Sequence, residues 1–499
     1  MEKSLDTKSK VDYSIGDVLL KFNTPNMLIF PEMLVSDVVG AGVHSSEAET
    51  WGTKYVYQWD LHADRNENVK VLYPVEKQDL SRWVEAVKSK FQIDSGDFNA
   101  LAEAIAIELE GVSSRSSPRI AAVPVTVASS LLQSLPGVTG SPRPENYAAL
   151  LHQIFQAGSK DDYQDGTCVD LLLGALRQVI QTDRLMHALE VSIRAGILPR
   201  VDPNVPVEPG APVGVTKAIN DWVGPPWLSQ GTPFSWFSDA WIKLTRQDWV
   251  EVLPPRRWVD WIATVSRLAI GMSVLWQSRY LDEIGELILS DSEDTSIETF
   301  VQKVSFGPLI HWEDSNQNLR QRNVQIAIRT LIARGVYVDE FLAKRLEDKD
   351  IDKEDTFSTA IQKLRAKTLR QDLRSELDRG HQPNPKKRRR EAVESCLTSR
   401  SLVGQYADQY GFLVQHGKGK AMFRVVDPST EVLALVASLS CGSPSSECSV
   451  GDVRRSLKHL GFEPSIPELV RRLESAGLCR DSADASDSVR VKSAFRSFE

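Results

Sequence analysis

The chain has 499 residues, 41% of them hydrophobic, and a net charge of −8. That length accommodates about two to four domains with true cores. The acidic balance excludes a protein coated in basic surface. Five cysteines, Cys168, Cys396, Cys441, Cys448 and Cys479, are odd in number and show no C-x-x-C or His/Cys zinc spacing. Reduced thiols in a cytosolic compartment are therefore expected, with no metal or other cofactor. Residues 1–10 are charged and lack the apolar core of a signal peptide.

Residues 1–119 read as a small α+β region. Residues 26–39 are apolar. Residues 54–61 and 69–75 alternate as strands around a turn-like 64–68, and helices follow over 78–91 and 98–109. The Ser-rich 111–118 reads as a loop. Residues 120–198 are a helical region, with helices over 145–156, 168–180 and 184–195. Pro203, Pro206 and Pro209 recur every third residue in 199–212, which suits an extended Pro-rich linker.

Residues 213–346 read as a Trp-rich helical domain. Eight of the twelve tryptophans fall between Trp222 and Trp276. Trp236, Phe237, Ala240, Trp241 and Leu244 have helical spacing. Few basic residues interleave, so an aromatic core is favoured over a base-stacking platform. Residues 258–276 are apolar enough to raise the question of a membrane span. Asp260 and Arg267 lie within them, and each costs roughly 2.5–3.5 kcal/mol near a bilayer centre. A buried helix in a soluble domain is expected instead, with no membrane partner. Further helices are expected over 323–334 and 338–346.

Residues 347–390 form a charged linker, with a polar helix over 356–379 and a break at 381–385. Lys386, Lys387, Arg388, Arg389 and Arg390 follow as an unbroken basic run. Between 363 and 424 there are 15 Lys and Arg against 6 Asp and Glu, a local +9, so the remainder carries −17. This is the asymmetry of a localised polyanion contact. The run has three readings: a solvated linker, a phosphate-binding arm, or, in a eukaryote, a nuclear localisation signal. A helix is expected over 391–406. Strands over 411–415 and 421–426 flank a glycine-bearing hairpin loop with Lys418 and Lys420.

Residues 391–499 form the last unit, and its end is the most explicit part of the chain. Ser429 or Thr430 caps a helix with Val432, Leu433, Leu435, Val436 and Leu439 inward. Ser449 and Asp452 make a capping box for a second helix. Ser465, with Pro467 in the first turn, opens a third helix. Gly477 suits a left-handed C-cap, after which 478–480 and 489–492 are expected as wing strands. With Leu-Glu-x-Ala-Gly-Leu at 473–478, residues 428–492 resemble a winged helix-turn-helix domain. The resemblance implies a third helix in the major groove and a wing on the backbone. Here Arg471 and Arg472 are offset by Glu468 and Glu474, and the wing carries Asp481, Asp484 and Asp487. Contact is thus expected from Arg454, Arg455 and Lys458 on the second helix, with Arg471, Arg472 and the upstream cations, or the domain docks another protein.

Asp60, His62 and Asp64 alternate and would share one side of a strand. A polar hairpin face is favoured over a divalent-metal site. Asp348, Asp350 and Asp352 fail as a calcium loop because Lys353 replaces the required glycine. Residues 411–420 and 40–42 fail as phosphate and dinucleotide loops. The chain therefore reads as mainly α and multidomain, with a small N-terminal α+β part and a C-terminal winged helix. It loosely resembles accessory proteins of bacterial DNA-modification and anti-phage defence operons. That implies a cytoplasmic, non-catalytic subunit whose partners are DNA and other protein subunits. The alternatives are a protein-interaction scaffold and a metal-dependent nuclease.

Overall fold

The structure, a computed structural model, describes chiefly residues 13–19, 112–114, 117–120, 147–159, 168–183, 225–379, 387–398, 410–417, 422–479 and 486–495, with short breaks and a few isolated positions besides. The described residues are mainly helical. In chain order come α1 (Ile15–Val18), β1 (Val112–Ser114), β2 (Ser117–Ile120), α2 (Tyr147–Gly158) and α3 (Cys168–Thr182). Then follow α4 (Pro233–Leu244), α5 (Gln247–Val252), α6 (Pro255–Leu289), α7 (Ile297–Ser305), β3 (Ile310–His311), α8 (Gln325–Glu347), α9 (Phe357–Leu364), α10 (Lys367–Arg379) and α11 (Lys387–Leu397). The C-terminal elements are β4 (Leu413–His416), β5 (Phe423–Val426), α12 (Thr430–Ser440), β6 (Glu447–Ser449), α13 (Val450–Leu460), β7 (Phe462–Glu463), α14 (Ile466–Ser475) and β8 (Arg490–Lys492).

Helix α6 organises the rest. Pro254 and Pro255 set its start, where proline's fixed φ and missing N–H cost nothing. It is apolar around its circumference rather than along one stripe, and such a helix must be covered on all sides. Helices α4, α8 and α11 cover it, with α2, α7, α9 and α10 at its margins. By length and composition α6 is able to cross a bilayer, but 89% of its most apolar window is buried within the protein. Some of its polar groups find carbonyl partners, whereas the Ser273 hydroxyl is buried with no hydrogen-bond partner among the described residues. Ser266 and Ser278 donate to carbonyls four residues back, and Arg267 donates to the Tyr410 carbonyl at 2.7 Å. Tyr280 donates to the Val18 carbonyl and ties α1 to the core.

The tryptophans are core residues. Trp241, Trp249 and Trp258 are fully buried, and Trp236, Trp261 and Trp276 nearly so. Trp241 and Trp258 donate their indole N–H groups to the carbonyls of Cys168 and Leu244. Phe495 stands edge-on to Trp249 and Trp261, at 6.4 and 5.4 Å. The aromatic-core expectation therefore holds at these positions, and no base-stacking face remains on them.

Three local expectations are corrected. The two helices expected over 323–334 and 338–346 are one, α8. Gly335 lies against α6, where an added Cβ would lie 2.6 Å from both Cα and O of Ser278. The helix over 356–379 is two, α9 and α10. The helical run is interrupted at Arg365, whose guanidinium donates to the Leu287 carbonyl in the last turn of α6 and to the Ser292 carbonyl just beyond it. The predicted loop over 111–118 holds an antiparallel pair, β1 and β2, in the register Val112↔Ile120 and Ser114↔Ser117. Its serines break the apolar alternation by which a strand is recognised. The hairpin over 54–75, the helices over 78–91 and 98–109, and the linker over 199–212 lie outside the described residues.

The C-terminal helices begin where their caps predict. Ser429, Ser449 and Ser465 each accept the N–H of the residue three positions on, and Asp452 completes the capping box at Ser449. β6 pairs antiparallel with β8, and an isolated bridge joins Cys479 to Val491. This unit is joined to the preceding helices. β7 pairs in parallel with β3, Phe412 stacks on Phe462 at 4.3 Å, and Trp236 of α4 donates to Ser456 of α13. Buried apolar residues from α2 to α14 belong to one contiguous cluster.

Candidate nucleic-acid interface

The basic run enters a helix. Lys387, Arg388, Arg389 and Arg390 form the first turn of α11, which has no acidic residue in that turn. The N-terminal end of a helix is the positive end of its macrodipole, so carboxylates stabilise it and cations do not. Four cations there oppose helix formation unless an anion lies close by. Lys386, Lys418 and Lys420 lie outside the described residues.

One turn further on, Arg390 reaches a buried charge cluster. Glu394 of α11 is 4% exposed and accepts from Arg424 of β5 at 2.5 Å. Arg329 of α8 and Arg390 approach the other carboxylate oxygen at 3.5 and 3.7 Å, ion-pair rather than hydrogen-bond geometry. Three guanidiniums and one carboxylate leave a net charge of +2. The Gln325 amide, oriented to suit its neighbours, accepts from Arg424 at 2.7 Å and Arg329 at 2.6 Å and donates to the Met422 carbonyl. Burial, with repulsion from Arg329 and Arg390, holds the Arg424 guanidinium below its ordinary value despite Glu394. The Nε of each of the three arginines is buried without a hydrogen-bond partner among the described residues.

The cations of α13 and α14 are differently placed. Arg454 donates to the Pro464 carbonyl and lies 3.6 Å from Glu463, which Lys458 also reaches at 3.5 Å. Arg455 pairs with Asp452 at 2.9 Å. Arg471 and Arg472 both pair with the buried Glu468, at 2.7 and 2.9 Å, and Arg472 reaches Asp427 as well. Each of these five cations thus has a carboxylate partner, and their net field is small. Arg455 and Arg471 are half exposed or more, so their ion pairs are weak enough to exchange.

Of the sequence-predicted residues, the structure brings Arg390 into a cluster and places Arg454, Arg455, Lys458, Arg471 and Arg472 on the last two helices. Sequence reasoning missed Arg329, Gln325, Glu394 and Arg424, which come from three separate elements. Only the four-residue spacing of Arg390 and Glu394 signalled them. Among the described residues no group of three or more His, Cys, Asp or Glu side chains is arranged to hold a metal. Asp60, His62 and Asp64 lie outside those residues.

No protein-family model matches the sequence, and no curated protein is similar to it. The functional reading therefore rests on the charges and contacts above.

Proposed function

We propose that this protein is a non-catalytic, DNA-associated accessory or regulatory subunit, and that its polyanion contact centres on the N-terminal end of α11. One observation carries the reading. A run of cations occupies the positive end of a helix, beside a cluster of net charge +2 around the buried Glu394, in a chain that is otherwise acidic. A phosphate backbone is the chemistry that would stabilise such an arrangement. The unit built from α12, β6, α13, α14 and β8 is read as a winged helix, in accord with its cap positions and element order. A cytoplasmic setting in a bacterial DNA-modification or anti-phage defence system belongs to the same proposal.

A second reading has its own support. The α13 face that meets α4 is used within the chain, and the cations of α13 and α14 are paired. On that reading the winged helix docks protein and the chain is a scaffold.

Titration of labelled duplex DNA at several salt concentrations separates the two. The affinity is expected to fall steeply with salt. Reversing Arg388→Glu and Arg389→Glu, which spares the Arg390–Glu394 pair, is expected to lower the salt slope by about 2. A salt-independent affinity, or an unchanged titration for the double variant, refutes the polyanion contact.

A further inference from the structure

Cys441 and Cys448 are seven positions apart, and neither belongs to a C-x-x-C motif, yet their sulfurs lie 3.2 Å apart. Cys441 is the C-cap of α12, and Cys448 is the middle residue of β6. The intervening turn passes through Gly442 at φ +85°, which returns the chain so that the two side chains face each other. Cys448 is partly exposed and opens the pair to solvent; Cys441 is buried but keeps 9% exposure, whereas Cys168 and Cys396 are fully enclosed. The turn is held against the preceding helices by Lys243, which donates to the Leu439 carbonyl, and Arg246, which donates to the Gly442 carbonyl.

We propose that Cys441 and Cys448 form a reversible disulfide, with Cys441 as the attacking thiol and Cys448 as the resolving one, and a low-molecular-weight disulfide as oxidant. The electrostatics suit this division. Hydrogen bonding with Cys448, through side chain and backbone, holds the Cys441 thiol below its ordinary value, while burial, Glu447 and Asp452 oppose it. The Cys448 thiol is pushed up, first by its interaction with Cys441 and then by burial, while Lys243 pulls the other way. The C-terminal end of α12 disfavours a thiolate, so the contact with Cys448 is what offsets it.

The exchange balances. Cys441 Sγ loses its proton and attacks one sulfur of the small disulfide. That S–S bond breaks, and one small thiolate leaves and takes up a proton. Cys448 then loses its proton and attacks Cys441 Sγ, forming the intrachain S–S bond and expelling the second small thiol. Two protein thiols are oxidised and one small disulfide is reduced to two thiols.

The test uses the full chain, reduced and then exposed to glutathione disulfide. Remaining thiols are alkylated without reduction. Cleavage after Glu447 separates the two cysteines, so only an S–S bond joins their peptides. The expected product is that linked pair, two hydrogens lighter than the reduced peptides and released by dithiothreitol. The Cys448→Ser variant is expected to trap glutathione on Cys441, and Cys441→Ser to react on the order of tenfold more slowly. Absence of the linked pair in the wild-type chain, a link between other cysteines, or an unmodified Cys441 in Cys448→Ser overturns the proposal.

Discussion

Replacing Glu394 tests the charge cluster most directly. Among the described residues its carboxylate is the one counter-charge shared by Arg329, Arg390 and Arg424. The Arg424 side chain is 11% exposed, so water is poorly placed to replace the lost partner. At an effective dielectric of about 20, one charge pair near 4 Å contributes about 4 kcal/mol. Breaking a buried pair while leaving its partner typically costs about 3–5 kcal/mol. Glu394→Ala is therefore expected to lose about 3–5 kcal/mol. Glu394→Gln keeps the shape and one hydrogen-bond acceptor and is expected to lose less, about 2 kcal/mol. Urea denaturation followed by circular dichroism reads both. The same Gln variant raises the local charge from +2 to +3, so under the proposed function it binds duplex DNA more tightly at fixed salt. A stability loss under about 1 kcal/mol for the Ala variant refutes the buried-cluster reasoning. Weaker DNA binding by a still-folded Gln variant refutes the cluster's orientation toward a polyanion.

Two further outcomes follow from the core. Gly335→Ala gains about 1 kcal/mol of helix propensity but drives a methyl into the Ser278 backbone, where overpacking costs about 1–3 kcal/mol or more. It is expected to lower the melting temperature, whereas Gly174→Ala, an exposed position in α3 with nothing within 4 Å, raises it slightly; equal shifts for the two would contradict the close crossing of α6 and α8. His152 in α2 is buried, and desolvation lowers its pKa from 6.5 to about 4, partly opposed by Asp170. The unfolded chain then binds the extra proton first, so this contribution is complete above pH 6.5 and is lost as pH falls toward about 4. The integral is about 3 kcal/mol, and His152→Gln should flatten that part of a stability-versus-pH curve; a curve of unchanged slope would show that His152 is accessible to protons in the folded state.

Local chemistry was legible in the sequence and distant pairing was not. The starts of α12, α13 and α14 follow from Ser429, Ser449 with Asp452, and Ser465, because a cap is decided by residues three positions apart. Gly477, at φ +69°, was legible for the same reason. The parallel pairing of Ile310 with Phe462 was not, since two-residue strands carry no alternation and their partners are far apart along the chain. Gly335 falls between the two helices expected over 323–334 and 338–346, and its role within one continuous helix depends on α6 lying across it. Arg424 reads as a strand residue, and only the fold brings it to Glu394. The cysteine pair was hidden because its spacing matches no redox or metal motif; what joins the two is the turn at Gly442.

The way α13 is packed constrains how the proposed DNA contact can be made. One side of α13 faces α4, with Ser456 accepting from Trp236 and Leu457 and Leu460 buried, so this helix cannot lie freely across a duplex backbone. Helix α14 keeps Arg471 half exposed, but its charge is shared with Glu468. The five cations on these two helices face Asp427, Asp452, Glu463 and Glu468, which nearly cancel them at distances beyond a Debye length of about 10 Å. Long-range attraction of a polyanion would then come from the α11 end, and the last two helices would contribute only once contact is made. On this reasoning, charge reversal at Arg388 and Arg389 slows association, whereas Arg471→Ala acts chiefly on dissociation. Stopped-flow measurements on the two variants separate these effects, and an unchanged association rate for the Arg388 and Arg389 variant would remove α11 from the encounter.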